Sequence, residues 1–107
     1  MRKLALSLAA LAVFVPSAQA APFEVLVKDD FFKPKLVEIK KDRRVTWRWR
    51  GRELHNVALT KPGASRVYRR SRLKDSGSYT FQFGIRGTWK VVCEIHDKMT
   101  MKVVVRR

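Results

Sequence analysis

The sequence predicts an all-β chain, folded as an antiparallel β-sandwich of seven or eight short strands. Three observations predict it: apolar residues recur at every second position from Phe23 onward, turn signals arrive about every ten residues, and no helical period appears after the first twenty residues. No internal repeat, low-complexity segment or linker divides this region, so one small domain is expected.

The chain opens with Arg2 and Lys3, an apolar run from Leu4 to Val15 interrupted only by Ser7, then Pro16 and the small-residue triplet Ala18-Gln19-Ala20. That order is the order of a secretory signal peptide, with cleavage after Ala20. The run is short of the roughly 20 apolar residues that a bilayer span needs. Residues 1–20 are therefore read as a signal peptide and 21–107 as the domain, exported to the periplasm as a soluble protein. No transmembrane segment is expected in the 87 residues that remain of 107.

The strands follow in order. Phe23, Val25 and Val27 fall on one face against Glu24, Leu26 and Lys28. After a break at Asp29-Asp30 and Pro34, Val37 and Ile39 alternate with Glu38 and Lys40. Lys41-Asp42-Arg43 reads as a turn. Val45, Trp47 and Trp49 then share an inner face opposite Arg44, Thr46, Arg48 and Arg50. The stretch Arg50 to Glu53 breaks the pattern and returns the chain to His55, Val57 and Leu59, so the imidazole is expected to point inward. Lys61 to Asp75 has no clean period and reads as a long loop with at most one irregular edge strand. Tyr79, Phe81 and Phe83 line the next inner face, and Gly84 to Gly87 make a turn. Trp89, Val91 and Cys93 follow against Lys90, Val92 and Glu94, and a strand from about Thr100 to Arg106 closes the chain.

Lysine and arginine outnumber the acids by 24 to 9, a formal net charge of +15. Losing Arg2 and Lys3 with the signal peptide lowers it to +13. A surface so basic seeks anionic partners. The run Arg43-Arg44-Val45-Thr46-Trp47-Arg48-Trp49-Arg50 interleaves cations with aromatics as nucleic-acid binders do. Export argues against that use, and a strand with a basic solvent face accounts for the same residues.

The chemistry is concentrated in Cys93-Glu94-Ile95-His96-Asp97-Lys98-Met99, where the only cysteine, a histidine and a methionine follow at three-residue intervals. A lone cysteine forms no internal disulfide, and in an exported chain it is expected to react or to be held. Taken singly, each of the three is ordinary core material. Together, just past a core strand, they let one loop bend three donors around a point. His55, the only other histidine, supplies a fourth. Thiolate, imidazole and thioether are ligands that suit copper: His55, Cys93 and His96 in a plane, with Met99 as the weak axial donor. Zinc shares the thiolate and imidazoles but does not ordinarily take thioether. A Cys-His nucleophilic enzyme would need an orienting third group and oxyanion donors, and none can be picked out.

These residues carry a family resemblance. Phe32-x-Pro34, Val45-Thr46-Trp47, His55-Asn56-Val57, Gly87-Thr88-Trp89 leading to Cys93, the spacing Cys93-x-x-His96-x-x-Met99 and the closing Val103-Val104-Val105 resemble the cupredoxins, the small blue copper proteins, of the plastocyanin and amicyanin type. The resemblance implies a Greek-key sandwich and one type 1 copper ion bound by His55, Cys93, His96 and Met99. It also implies that Asn56 braces the two ligand segments and that His96 shows an edge to solvent as the electron port.

The sequence departs from that pattern in several places. Asp42 stands where a glycine is common, Leu54 where proline precedes the first histidine, and Met101, a second thioether, where a small residue is usual. Charged Asp97 and Lys98 replace the apolar proline after His96, which favours electrostatic docking. The function expected is that of a monomeric one-electron carrier, not an enzyme, docking by its basic surface on acidic redox partners. An envelope copper-delivery protein without a redox partner is the alternative.

Overall fold

The alternating apolar positions become the inner faces of two packed sheets. The computed structural model describes residues 21–107, and the signal peptide expected at 1–20 lies outside them. Nine strands are described: β1 (Phe23–Lys28), β2 (Phe31–Lys33), β3 (Leu36–Lys40), β4 (Arg44–Trp49), β5 (Ala58–Thr60), β6 (Arg69–Arg70), β7 (Ser78–Gln82), β8 (Gly87–Val92) and β9 (Thr100–Arg106). One sheet has the order β2-β1-β4-β7 and the other β3-β9-β8-β5-β6.

Val25, Val27, Phe32, Val45, Trp47 and Trp49 of the first sheet meet Val37, Leu59, Trp89, Val91, Met101, Val103 and Val105 of the second in one buried core. Phe83 stands edge-on to Trp89, ring centroids 5.0 Å apart. Each large apolar side chain buried this way contributes about 1.5–3 kcal/mol. Asp42 has φ 72, the left-handed region, which explains why glycine is common in that turn. Aspartate is one of the few other residues that enter this region readily.

The sandwich is as expected, but its sheets are mixed. β1 pairs parallel with β4, Val25 opposite Trp47, and β3 pairs parallel with β9, Val37 opposite Val103. A period of two fixes which face a side chain takes and says nothing of strand direction. The parallel pairing follows from the path: the chain leaves the first sheet as β3, joins the second, and returns as β4 beside β1 in the same sense. Of the nine strands, β6 is the irregular edge strand expected within the loop 61–75, and β2 is the one the sequence hides, behind the Asp29-Asp30 break.

β1 and β4 end at one pole of the sandwich. β5 starts there, since Ala58 lies opposite Val92 at the end of β8, and β9 starts there too. Four loops therefore gather at that pole: 29–30, 50–57, 71–75 and 93–99.

Candidate metal centre

His55 does point inward, but it precedes β5 and lies in an isolated bridge with Lys74. His55 N donates to Lys74 O at 3.0 Å, and Lys74 N donates back at 3.1 Å. Every residue from His55 to Leu59 is buried, so the alternation expected there is lost. The arm 69–74 is the cause. Ser71 Oγ accepts from Val57 N at 2.9 Å, and Ser71 N donates to Val57 O at 2.8 Å, closing over the face that alternation assigns to solvent. Trp49 Nε1 caps His55 O at 3.2 Å.

The thiol comes from the end of β8. Cys93 N donates to Met99 O at 3.0 Å and Met99 N to His96 O at 3.3 Å, so the seven-residue loop closes on itself. Lys98, at φ 68, makes the turn back into β9. The structure thereby brings His55, Cys93 and His96 together from two distant segments. His55 Nδ1 lies 3.1 Å from His96 Nδ1 and 3.9 Å from Cys93 Sγ, and Sγ lies 3.5 Å from His96 Nδ1. Metal–nitrogen bonds of about 2.0 Å and metal–sulfur bonds of about 2.3 Å give donor spacings of this order around one ion.

The outer edges of both rings are engaged by carboxylates. His55 is fully buried, and its Nε2 meets Asp29 Oδ1 at 3.0 Å. His96 is a quarter exposed, and its Nε2 faces Glu53 Oε1 at 3.1 Å and Asp30 Oδ1 at 3.4 Å. With Nε2 of each ring occupied on the outside, both Nδ1 atoms are left to face the thiol. The donor set fits a soft or borderline metal ion.

Asp29 is held well ionised, its carboxyl lowered from 3.8 to about 2, first by the backbone N–H of Glu53, then by His55 and by the N–H of Arg52. Glu94 is also lowered, by the Arg70 guanidinium and then by Asn56. Asn56 is 3% exposed and joins the segments of His55 and Cys93: its Oδ1 accepts from Glu94 N at 2.8 Å. No spacing in the sequence marks Asp29, Asp30, Glu53, Glu94 and Arg70 as neighbours of the histidines or the thiol. Asp29-Asp30 reads in sequence as a strand break, and only the topology carries it to the imidazoles.

Met99 is 1% exposed inside the loop that carries Cys93 and His96. Met101 is also buried, but it belongs to β9, opposite Val91, and its Sδ accepts from Trp47 Nε1 at 3.4 Å. That thioether is committed to the core.

The family model of copper binding proteins of the plastocyanin/azurin family matches residues 24–106. The chain belongs to that family. This cupredoxin is similar to a reduced Cu(I) form of an amicyanin variant at pH 4, with 26% identity over 83% of the chain and 88% of the amicyanin, TM-score 0.66. A purple cupredoxin from Nitrosopumilus maritimus shares the fold at 19% identity and TM-score 0.68, over 78% of this chain and 98% of that one. So does a copper-containing nitrite reductase from Thermus scotoductus SA-01, at 18% identity and TM-score 0.69, over 91% of this chain and only 25% of the reductase. No curated protein sequence matches significantly. Copper is the cofactor of this cupredoxin, and the His-Cys-His cluster under the pole is the group of donors consistent with a type 1 centre.

Proposed function

We propose that one copper ion is held by His55, Cys93 and His96 in a plane, with Met99 as the weak fourth donor, and that the chain carries single electrons between partner proteins. The observation that carries this reading is the convergence of Nδ1, Nδ1 and Sγ within 3.1–3.9 Å, from segments 38 residues apart. The engagement of Met101 by Trp47 leaves Met99 as the thioether available to the loop.

Copper supplies the one-electron redox change. The chain's own residues do the rest. His55, bridged to Lys74 and backed by Asp29, is a buried and rigid donor. Cys93 is tied to Met99 through the backbone, so the loop keeps its shape between oxidation states. Fast electron exchange needs that constancy. His96 alone among the three offers an edge to solvent, which makes it the port.

On this reading residues 1–20 are removed as a signal peptide and residues 21–107 work in the periplasm, as a carrier and not an enzyme. Among the described residues no helix is long and apolar enough to cross a membrane. The partner is an acidic redox protein. Exposed Arg52, Arg72 and Lys98 on the loops of the copper pole are the cations it meets, with half-exposed Leu54, Leu73 and Ile95 among them.

The test is an absorption spectrum of residues 21–107 with Cu(II) added. An intense thiolate-to-copper band, bleached reversibly by reductant and absent in Cys93→Ser, is expected. A colourless protein that holds Cu(I) and passes it to a chelating acceptor would instead support copper delivery.

A further inference from the structure

We propose that Asp29 is a positioning residue of the copper centre: its carboxylate fixes the proton of His55 on Nε2, so that Nδ1 presents its lone pair to the metal, and its charge favours the oxidised ion. This rests on the ligand reading given above.

The geometry is that of a built cradle. Asp29 Oδ1 takes the Nε2 edge of His55 at 3.0 Å and the N–H of Glu53 at 3.0 Å. The N–H of Arg52 spans both oxygens, at 3.0 Å to Oδ1 and 2.9 Å to Oδ2. The fourth wall is Gly51. A Cβ at that position would come within 2.2 Å of Asp29 Oδ1, so only glycine leaves room for the carboxylate.

An ionised carboxylate only accepts hydrogen bonds, so the hydrogen between the two groups belongs to His55 Nε2. A neutral imidazole protonated there has a bare Nδ1, and Nδ1 is the atom facing Cys93 and His96. Second partners of this kind orient a metal-binding ring and raise its basicity. Asp29 reaches His55 across 26 residues, and nothing but the β1–β2 turn delivers it.

The charge acts in the same direction. With one thiolate bound, the oxidised centre carries one positive charge more than the reduced centre. A negative charge fixed behind a fully buried ring stabilises the more positive state. Asp30 and Glu53 face the exposed edge of His96, where water and salt screen them more.

Two variants separate the two roles. Asp29→Asn keeps an oxygen acceptor and the shape but drops the charge, whereas Asp29→Ala removes both. With copper bound, D29N is expected to stay blue and to shift the Cu(I)/Cu(II) ratio at fixed ambient potential tenfold or more toward Cu(I). For one electron that is a rise of about 59 mV or more. D29A is expected to add a 10–100-fold loss of metal affinity. A D29N ratio within twofold of wild type overturns the electrostatic role.

The positioning role is read without metal, by long-range 1H–15N NMR of the His55 ring at slightly alkaline pH. A single Nε2–H tautomer in the wild type, giving way to a mixture in D29A, supports it. A mixed or Nδ1–H ring in the wild type overturns it. Since that spectrum does not depend on colour, failure of the copper reading is distinguishable from failure of this one.

Discussion

Asn56 and Glu94 are bonded twice: Glu94 N donates to Asn56 Oδ1 at 2.8 Å, and Asn56 Nδ2 donates to Glu94 Oε1 at 2.6 Å. Each residue stands immediately after a proposed donor, Asn56 after His55 and Glu94 after Cys93. Arg70 then grips the same carboxylate through Nε at 2.9 Å and a terminal nitrogen at 3.0 Å. The two ligand segments and the edge strand β6 are thus one unit. Replacing Asn56 by Ala leaves the Glu94 N–H without its acceptor, at a cost of about 1–3 kcal/mol. The expected outcome is a lower denaturation midpoint for the metal-free protein and faster loss of copper to a chelator. Unchanged release kinetics would show that the brace is irrelevant to the centre.

The two thioethers should answer differently to the same substitution. Met99→Leu is expected to change the visible spectrum and the reduction potential, because Met99 is the proposed weak axial ligand and such a ligand tunes both. Met101→Leu is expected to leave them unchanged while costing about 1–3 kcal/mol of stability, since a donor buried beside it is left unpaired. The substitution removes the sulfur that accepts from Trp47 Nε1. Spectra and urea midpoints of the two variants decide the matter. A spectral change in M101L and none in M99L would reverse the assignment.

Why the inner faces were legible and the site's surroundings were not follows from the range of the signal. Val45, Trp47 and Trp49 announce a buried face within five residues, and all three are buried. The spacing of Cys93, His96 and Met99 is equally local. Strand direction, by contrast, depends on where the chain goes between β1 and β4, and alternation carries no record of it. The strand period that would turn His55 inward does not exist there; the burial comes instead from the arm 69–74, through Ser71 and the Lys74 bridge. Asp29, Glu53 and Arg70 have no spacing that ties them to either histidine. Only the packed pole gives them a role.

Acid should weaken the metal-free fold in a defined window. The Asp29 carboxyl falls from 3.8 to about 2 on folding, so below pH 4 the unfolded chain binds more protons than the folded one. Its contribution is whole above the ordinary carboxylate range and is lost as pH falls through about 2. Glu94, lowered chiefly by Arg70, adds in the same sense. The expected outcome is a melting temperature that drops steeply between pH 4 and pH 2 and less steeply in D29N. Equal slopes in the two proteins would remove Asp29 from the acid response.

Docking on an acidic partner should be governed by a few cations at the copper pole and not by the total charge. Charges more than about 8 Å away are largely screened at physiological salt, so the distant part of the +15 surface adds little to the encounter there. Lys98 is exposed on the loop that carries Cys93 and His96, Arg72 is exposed on the loop 71–75 at the same pole, and neither is among the proposed ligands. Reversing both, R72E with K98E, is expected to lower the bimolecular electron-transfer rate to an acidic redox protein tenfold or more at low salt. At high salt the difference should shrink, because steering of this kind falls steeply with ionic strength. Stopped-flow rates across a salt series measure it, with the spectrum as control for an intact centre. A wild-type rate that rises or stays flat with salt would mean that these cations do not steer the encounter. The half-exposed Leu54, Leu73 and Ile95 would then be the contact surface to test.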